Sequence, residues 1–77
     1  MNKILFFAHL RDEAGYESVE IEAAGKTVAE VKEMVAEKYG VQKLDTSMTA
    51  INEEFSSNDE VIKDGDTIAF IPPVSGG

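Results

Sequence analysis

The sequence predicts an α+β fold: a mixed sheet of four to five strands with one main helix packed on one face. Short apolar or alternating segments of strand length recur along the chain, whereas a single stretch carries helical periodicity. Their order is strand, strand, helix, strand, short strand, strand. One helix covers one face of such a sheet and leaves the other open. The 77 residues hold one domain, 1–77, in which residues 72–77 form an extended C-terminal tail.

Residues 3–8, KILFFA, are a compact run rich in aromatic and branched side chains and read as the first strand. HLRDEAGYE then breaks the pattern and reads as an exposed turn or loop, with His9 a solvated residue within it and Gly15 near its end. SVEIEA alternates, placing Val19, Ile21 and Ala23 on one side and Ser18, Glu20 and Glu22 on the other, as expected of a strand with one wet face. The segment TVAEVKEMVAEKYG carries the helix. Thr27 and Glu30 make a capping box, Val28, Val31, Val35 and Tyr39 form the apolar stripe, and Met34 widens it. Glu30, Lys32, Glu33, Glu37 and Lys38 are expected to face water, and Gly40 closes the helix. SMTAI reads as the third strand, turning at NEE into a short segment around Phe55. KDGD marks a tight turn, and TIAFI is the last strand, stopped by Pro72 and Pro73, which cannot donate to a ladder.

Composition excludes several function classes. Fifteen acidic against seven basic residues give a net charge of −8, which opposes binding to a phosphate backbone, so no nucleic-acid partner is expected. The absence of cysteine rules out disulfides, and a lone His9 rules out a zinc cluster. No apolar stretch has the length of a membrane span, and MNKILFFAHL lacks the features of a signal peptide, so the expected location is cytoplasmic, away from membranes. His9 has no thiol to activate, and the serines lack a Gly-x-Ser-x-Gly setting. Asp59, Glu60, Asp64 and Asp66 lack EF-hand spacing, and no phosphate-cradling glycine loop occurs. We therefore expect no catalytic site, metal or cofactor bound by this chain.

The two central strands are apolar on both sides. Ile4, Phe6, Ile68 and Phe70 are assigned to the core, leaving Leu5, Phe7 and Ile71 outward, with Phe55 beside them. A contiguous apolar area of this kind is unusual on a free monomer and points to a partner.

The chain ends FIPPVSGG. Two prolines bias it to an extended exit from the sheet. Val74 and Ser75 offer side chains to a groove, and Gly76 and Gly77 remove every Cβ near the terminal carboxylate, so the end can thread a narrow channel. Pro72 to Gly77 reach about 20 Å when extended.

These residues, together with KILFFAHLRDEAG, AINEEF and DGDTIAFIPPVSGG, resemble the small subunits of molybdopterin synthase, which are ubiquitin-like sulfur carriers, over essentially the whole chain. The resemblance implies the β-grasp topology, with the last strand parallel beside the first in the middle of the sheet. It implies that Gly77, preceded by Gly76, is the working terminus. An adenylating enzyme similar to ubiquitin activators would consume ATP to make a Gly77 acyl-adenylate, and a persulfide would convert it to a thiocarboxylate. The tail would then enter the large synthase subunit, in an assembly of two small and two large subunits, and donate sulfur to cyclic pyranopterin monophosphate. Two transfers build the dithiolene that later holds molybdenum. Phe7, Arg11, Phe55, Ile71, Pro72, Pro73, Val74 and Ser75 would contact the partner, Arg11 from the loop after the first strand. The alternatives are a sulfur carrier of another pathway, such as thiazole synthesis, a ubiquitin-like protein modifier, and a plain interaction module with an incidental tail.

Overall fold

The computed structural model describes residues 1–42 and 44–72. Strand β1 (Asn2–Phe6) is followed by helix α1 (His9–Ala14), β2 (Ser18–Ile21) and helix α2 (Val28–Tyr39). A 3₁₀ turn at Leu44–Thr46 leads into β3 (Met48–Ile51), β4 (Glu54–Ser56) and β5 (Thr67–Ile71). The five strands form one mixed sheet in the order β2-β1-β5-β3-β4. β1 and β5 run parallel in its middle, with Ile4 opposite Ile68 and Phe6 opposite Phe70, and every other pairing is antiparallel.

Helix α2 forms where the capping chemistry begins. The Glu30 N–H donates to Thr27 Oγ1 at 3.2 Å and the Thr27 N–H to Glu30 Oε1 at 2.9 Å, so two of the otherwise unpaired first-turn donors are satisfied. Gly40 ends the helix with φ of 68°, a left-handed conformation that glycine takes without a Cβ penalty. Val28, Val31 and Val35 are fully buried against Ile4, Phe6, Ile68 and Phe70, with Leu10, Ile21, Ala23, Leu44 and Ile62 closing the core. Met34 and Tyr39 are half-buried at its edge.

Three expectations need correction. HLRDEAG is not a loop. It forms α1, anchored by buried Leu10 and Ala14 one turn apart and closed by left-handed Gly15, whose N–H donates to the Arg11 carbonyl at 2.9 Å. β1 also ends at Phe6 rather than Ala8. Ala8 adopts φ 54°, ψ −134°, and the Leu10 and Arg11 N–H groups donate back to the Phe7 and Ala8 carbonyls, which turns the chain into α1.

Lys32 does not face water either. Its side chain is buried, and Nζ donates to the Ser47 carbonyl and to Asn58 Oδ1, both at 3.0 Å. Burial lowers its pKa from the usual lysine value, with Asp45 opposing that shift. The ammonium thereby ties the middle of α2 to the chain on either side of the β3–β4 hairpin.

At the start of the sheet, the buried Asn2 serves as a polar clasp. Its Nδ2 donates to the Lys63 and Asp66 carbonyls at 2.8 and 3.0 Å, and Oδ1 accepts from the Ala23 N–H at 3.2 Å. This joins β1, the end of the β2 segment and the turn that precedes β5.

Candidate functional site

The side of the sheet opposite α2 is where the sequence leaves apolar residues without a core to enter. Alternation along β1 and β5 sends Ile4, Phe6, Ile68 and Phe70 inward, so Leu5, Ala69 and Ile71 emerge on the other side. There they line a groove of about 540 Å³ with Phe7, Ala50 and Phe55. Phe7 is 45% exposed and Phe55 70% exposed. Met48, opposite Ile71 in the β3–β5 register, is also exposed. The turn at Ala8 does not carry Phe7 away, because its N–H still donates to the Phe70 carbonyl at 3.3 Å.

One end of the groove is built by the β3–β4 hairpin. Asn52 fastens that hairpin to β5: its N–H donates to the Thr67 carbonyl at 2.8 Å, its Oδ1 accepts from the Thr67 N–H at 3.0 Å, and its Nδ2 donates to Asp66 Oδ1 at 2.9 Å. Asp66 Oδ2 also accepts the Lys63 N–H at 2.9 Å. The backbone N–H of Lys63 and then the Asn52 amide favour the charged carboxylate and hold its pKa below the usual aspartate value. These bonds fasten the β3–β4 loop to the start of β5.

Of the residues expected from the sequence to meet a partner, Phe7, Phe55 and Ile71 share this groove. Pro72 follows Ile71 directly and is half-buried. Arg11 lies on α1, exposed, and is not among the residues that line the groove. Pro73, Val74, Ser75, Gly76 and Gly77 lie outside the described residues. Sequence reasoning missed Ala50, Asn52, Glu53, Thr67 and Ala69 as groove residues. The alternation that placed Ile71 outward also places Ala69 there, and Ala50 stands opposite Ala69.

His9 Nε2 lies 3.7 Å from Glu13 Oε2, one turn along α1, a surface contact rather than a catalytic one. Among the described residues, no group of three or more histidines and carboxylates could hold a metal ion, and no helix is long and apolar enough to cross a membrane. The arrangement suits docking: an apolar face, framed by a rigid hairpin, with the end of a central strand at its edge.

A mixed sheet crossed by one main helix, with its first and last strands parallel in the middle, defines a ubiquitin-like β-grasp protein. The chain belongs to the ThiS family, whose model matches residues 4–77. It is similar to the molybdopterin synthase sulfur carrier subunit of Escherichia coli (strain K12), 35% identical over 81 residues that cover 100% of each chain. Among solved structures, it is similar to the complex of subunits 1 and 2 of the molybdopterin-converting factor from Helicobacter pylori 26695. That match has 28% identity and a TM-score of 0.71 and covers 99% of this chain and 97% of the other. The small archaeal modifier protein 1 of Methanosarcina acetivorans matches with 26% identity and a TM-score of 0.80, covering 99% of this chain and 95% of that one.

Proposed function

We propose that this chain is the sulfur-carrying small subunit of molybdopterin synthase, acting through the main-chain carboxylate of Gly77. The observation that carries the reading is the position of the groove: Ile71 lines it and Pro72 follows at once. A partner that covers the groove therefore meets the start of the tail, and six residues extended over about 20 Å can reach into that partner's active site. Identity of 35% over the whole chain with sulfur carrier subunits of two bacteria supports the same reading.

The chemistry needs outside help at every covalent step. A carboxylate is a poor acyl donor, so a separate adenylating enzyme uses ATP to form the Gly77 acyl-adenylate and releases pyrophosphate. With no cysteine in the chain, sulfur arrives on another protein as a persulfide. Its terminal sulfur attacks the acyl carbon, AMP leaves, and a thiol cleaves the S–S bond to free the thiocarboxylate. The loaded carrier docks on the large subunit, in an assembly of two small and two large subunits, and the sulfur passes to cyclic pyranopterin monophosphate. The contribution of this chain is to bind and to hold a reactive end in place, which turns a bimolecular encounter into a positioned one. Arg11, Pro73, Val74 and Ser75 are assigned to partner contact on the same reading, and the location is cytoplasmic.

Intact-mass spectrometry tests it. With ATP, a persulfide donor and the adenylating enzyme, the chain gains the mass difference between sulfur and oxygen, and the chain lacking Gly77 does not. A second reading, a protein modifier, is favoured by the likeness to the archaeal modifier. It predicts isopeptide adducts on other proteins in a cell extract in place of the thiocarboxylate.

A further inference from the structure

The β3–β4 hairpin contains a residue that folding alone does not favour. Ile51 pairs with Glu54, so Asn52 and Glu53 form a two-residue loop, with φ of 50° and 72°. Positive φ at both positions is the type I′ pattern, whose favoured sequence is Asn-Gly because only glycine takes the second position without a Cβ clash. Asn52 suits the first position and is bonded to Asp66 and Thr67. Glu53 does not suit the second. An L-residue there costs conformational energy that glycine avoids. Its side chain is exposed, and among the described residues it makes no hydrogen bond or ion pair that offsets the cost.

The same Glu53 lines the apolar groove and is the one charged side chain among the residues that do. A partner that covers Phe7, Phe55 and Ile71 therefore removes water from beside a carboxylate that has no partner among the described residues, which is costly unless the partner supplies a cation. Backbone strain with no local compensation is found most often where a function retains it. An apolar patch alone tolerates sliding, whereas a charge pair at its rim fixes orientation and speeds encounter.

We propose that Glu53 is a specificity-determining docking residue, receiving a lysine or arginine side chain of the large synthase subunit where that subunit covers the sheet face. The inference rests on the docking reading of that face. It identifies the partner surface as apolar with one cation placed over the β3–β4 turn.

The test measures association of the intact chain with the large synthase subunit by stopped flow, across ionic strength, beside thermal melts. Glu53→Gln removes the charge but keeps the side chain and the strained turn. Its association is expected to be about threefold slower at low salt, the difference closing at ~1 M, with the melting midpoint in place. Glu53→Gly is expected to slow association equally and to raise the midpoint by about 4 °C. Wild-type rates for both variants at every salt concentration overturn the proposal, as does a Glu53→Gly chain that melts no higher than wild type. Phe7→Ser separates the two levels. If it weakens docking while both Glu53 variants behave as wild type, only this inference falls; if it too has no effect, the docking reading falls and takes the inference with it.

Discussion

Replacing Phe55 by serine separates docking from folding. Phe55 is 70% exposed, so most of its apolar surface is still available to a partner. Full burial of a phenylalanine is worth about 1.5–3 kcal/mol, and covering the exposed share supplies about 1–2 kcal/mol. At tenfold per 1.4 kcal/mol, Phe55→Ser should weaken binding to the large subunit about 5- to 30-fold. The part already buried limits the loss of folding stability to less than ~1 kcal/mol. Titration calorimetry gives the affinity, and the variant should also bind with a less negative heat-capacity change, since less apolar surface is covered. Phe70 is the matched control. It is fully buried, and Phe70→Ser should cost at least about 3 kcal/mol of stability, a large share of what a domain of this size possesses. An unchanged dissociation constant for a folded Phe55→Ser chain would refute the assignment of this face to docking.

The helix cap, the buried lysine and the turn carboxylate supply three further tests. Thr27→Ala removes the capping box and should lower stability by about 1 kcal/mol in urea unfolding, with partner affinity unaltered. Lys32→Ala should cost about 1–3 kcal/mol by leaving the Ser47 carbonyl and Asn58 amide short of a donor, whereas a solvated lysine at this position would cost almost nothing. The Asp66 carboxylate, held below the usual aspartate range by the Lys63 N–H and Asn52, stabilises the fold above its unfolded-state pKa, and that contribution is lost as pH falls through the lower folded value. Asp66→Asn should therefore melt below wild type near neutral pH, with the two curves converging well below ~pH 4.

The sequence made α2 legible because cap, stripe and terminator agree: Thr27 with Glu30, then the valines, then Gly40. α1 was hidden by its length, since six residues give one apolar repeat, Leu10 to Ala14, and no periodicity to read. Both alternating sets of the central strands are apolar, so alternation alone does not say which faces inward; the set assigned to the core, Ile4, Phe6, Ile68 and Phe70, is buried. Lys32 could not be read from its helix position. Its burial depends on acceptors 15 and 26 residues further along, and a long side chain reaches partners that periodicity does not register. Asn2 was overlooked for the same reason, because a buried polar clasp is defined by distant backbone groups.

The candidate site was partly legible. Phe7, Phe55 and Ile71 emerged from strands too apolar for one wet face, while Glu53 was invisible because its interest lies in a backbone angle. The sequence around Arg11 reads as a loop, yet Arg11 lies on α1, outside the groove lining. Its role now depends on how far a partner extends past Phe7.

On the proposed function, the last main-chain carbonyl carries the sulfur while the sheet face does the holding. The most direct measurement supplies the chain as its Gly77 thiocarboxylate to the large subunit with cyclic pyranopterin monophosphate and follows the dithiolene product. Product that scales with the loaded carrier, and vanishes when residues are appended after Gly77, is the predicted result. Equal product from the plain carboxylate form, or from the extended chain, would mean that Gly77 is not the sulfur-bearing end.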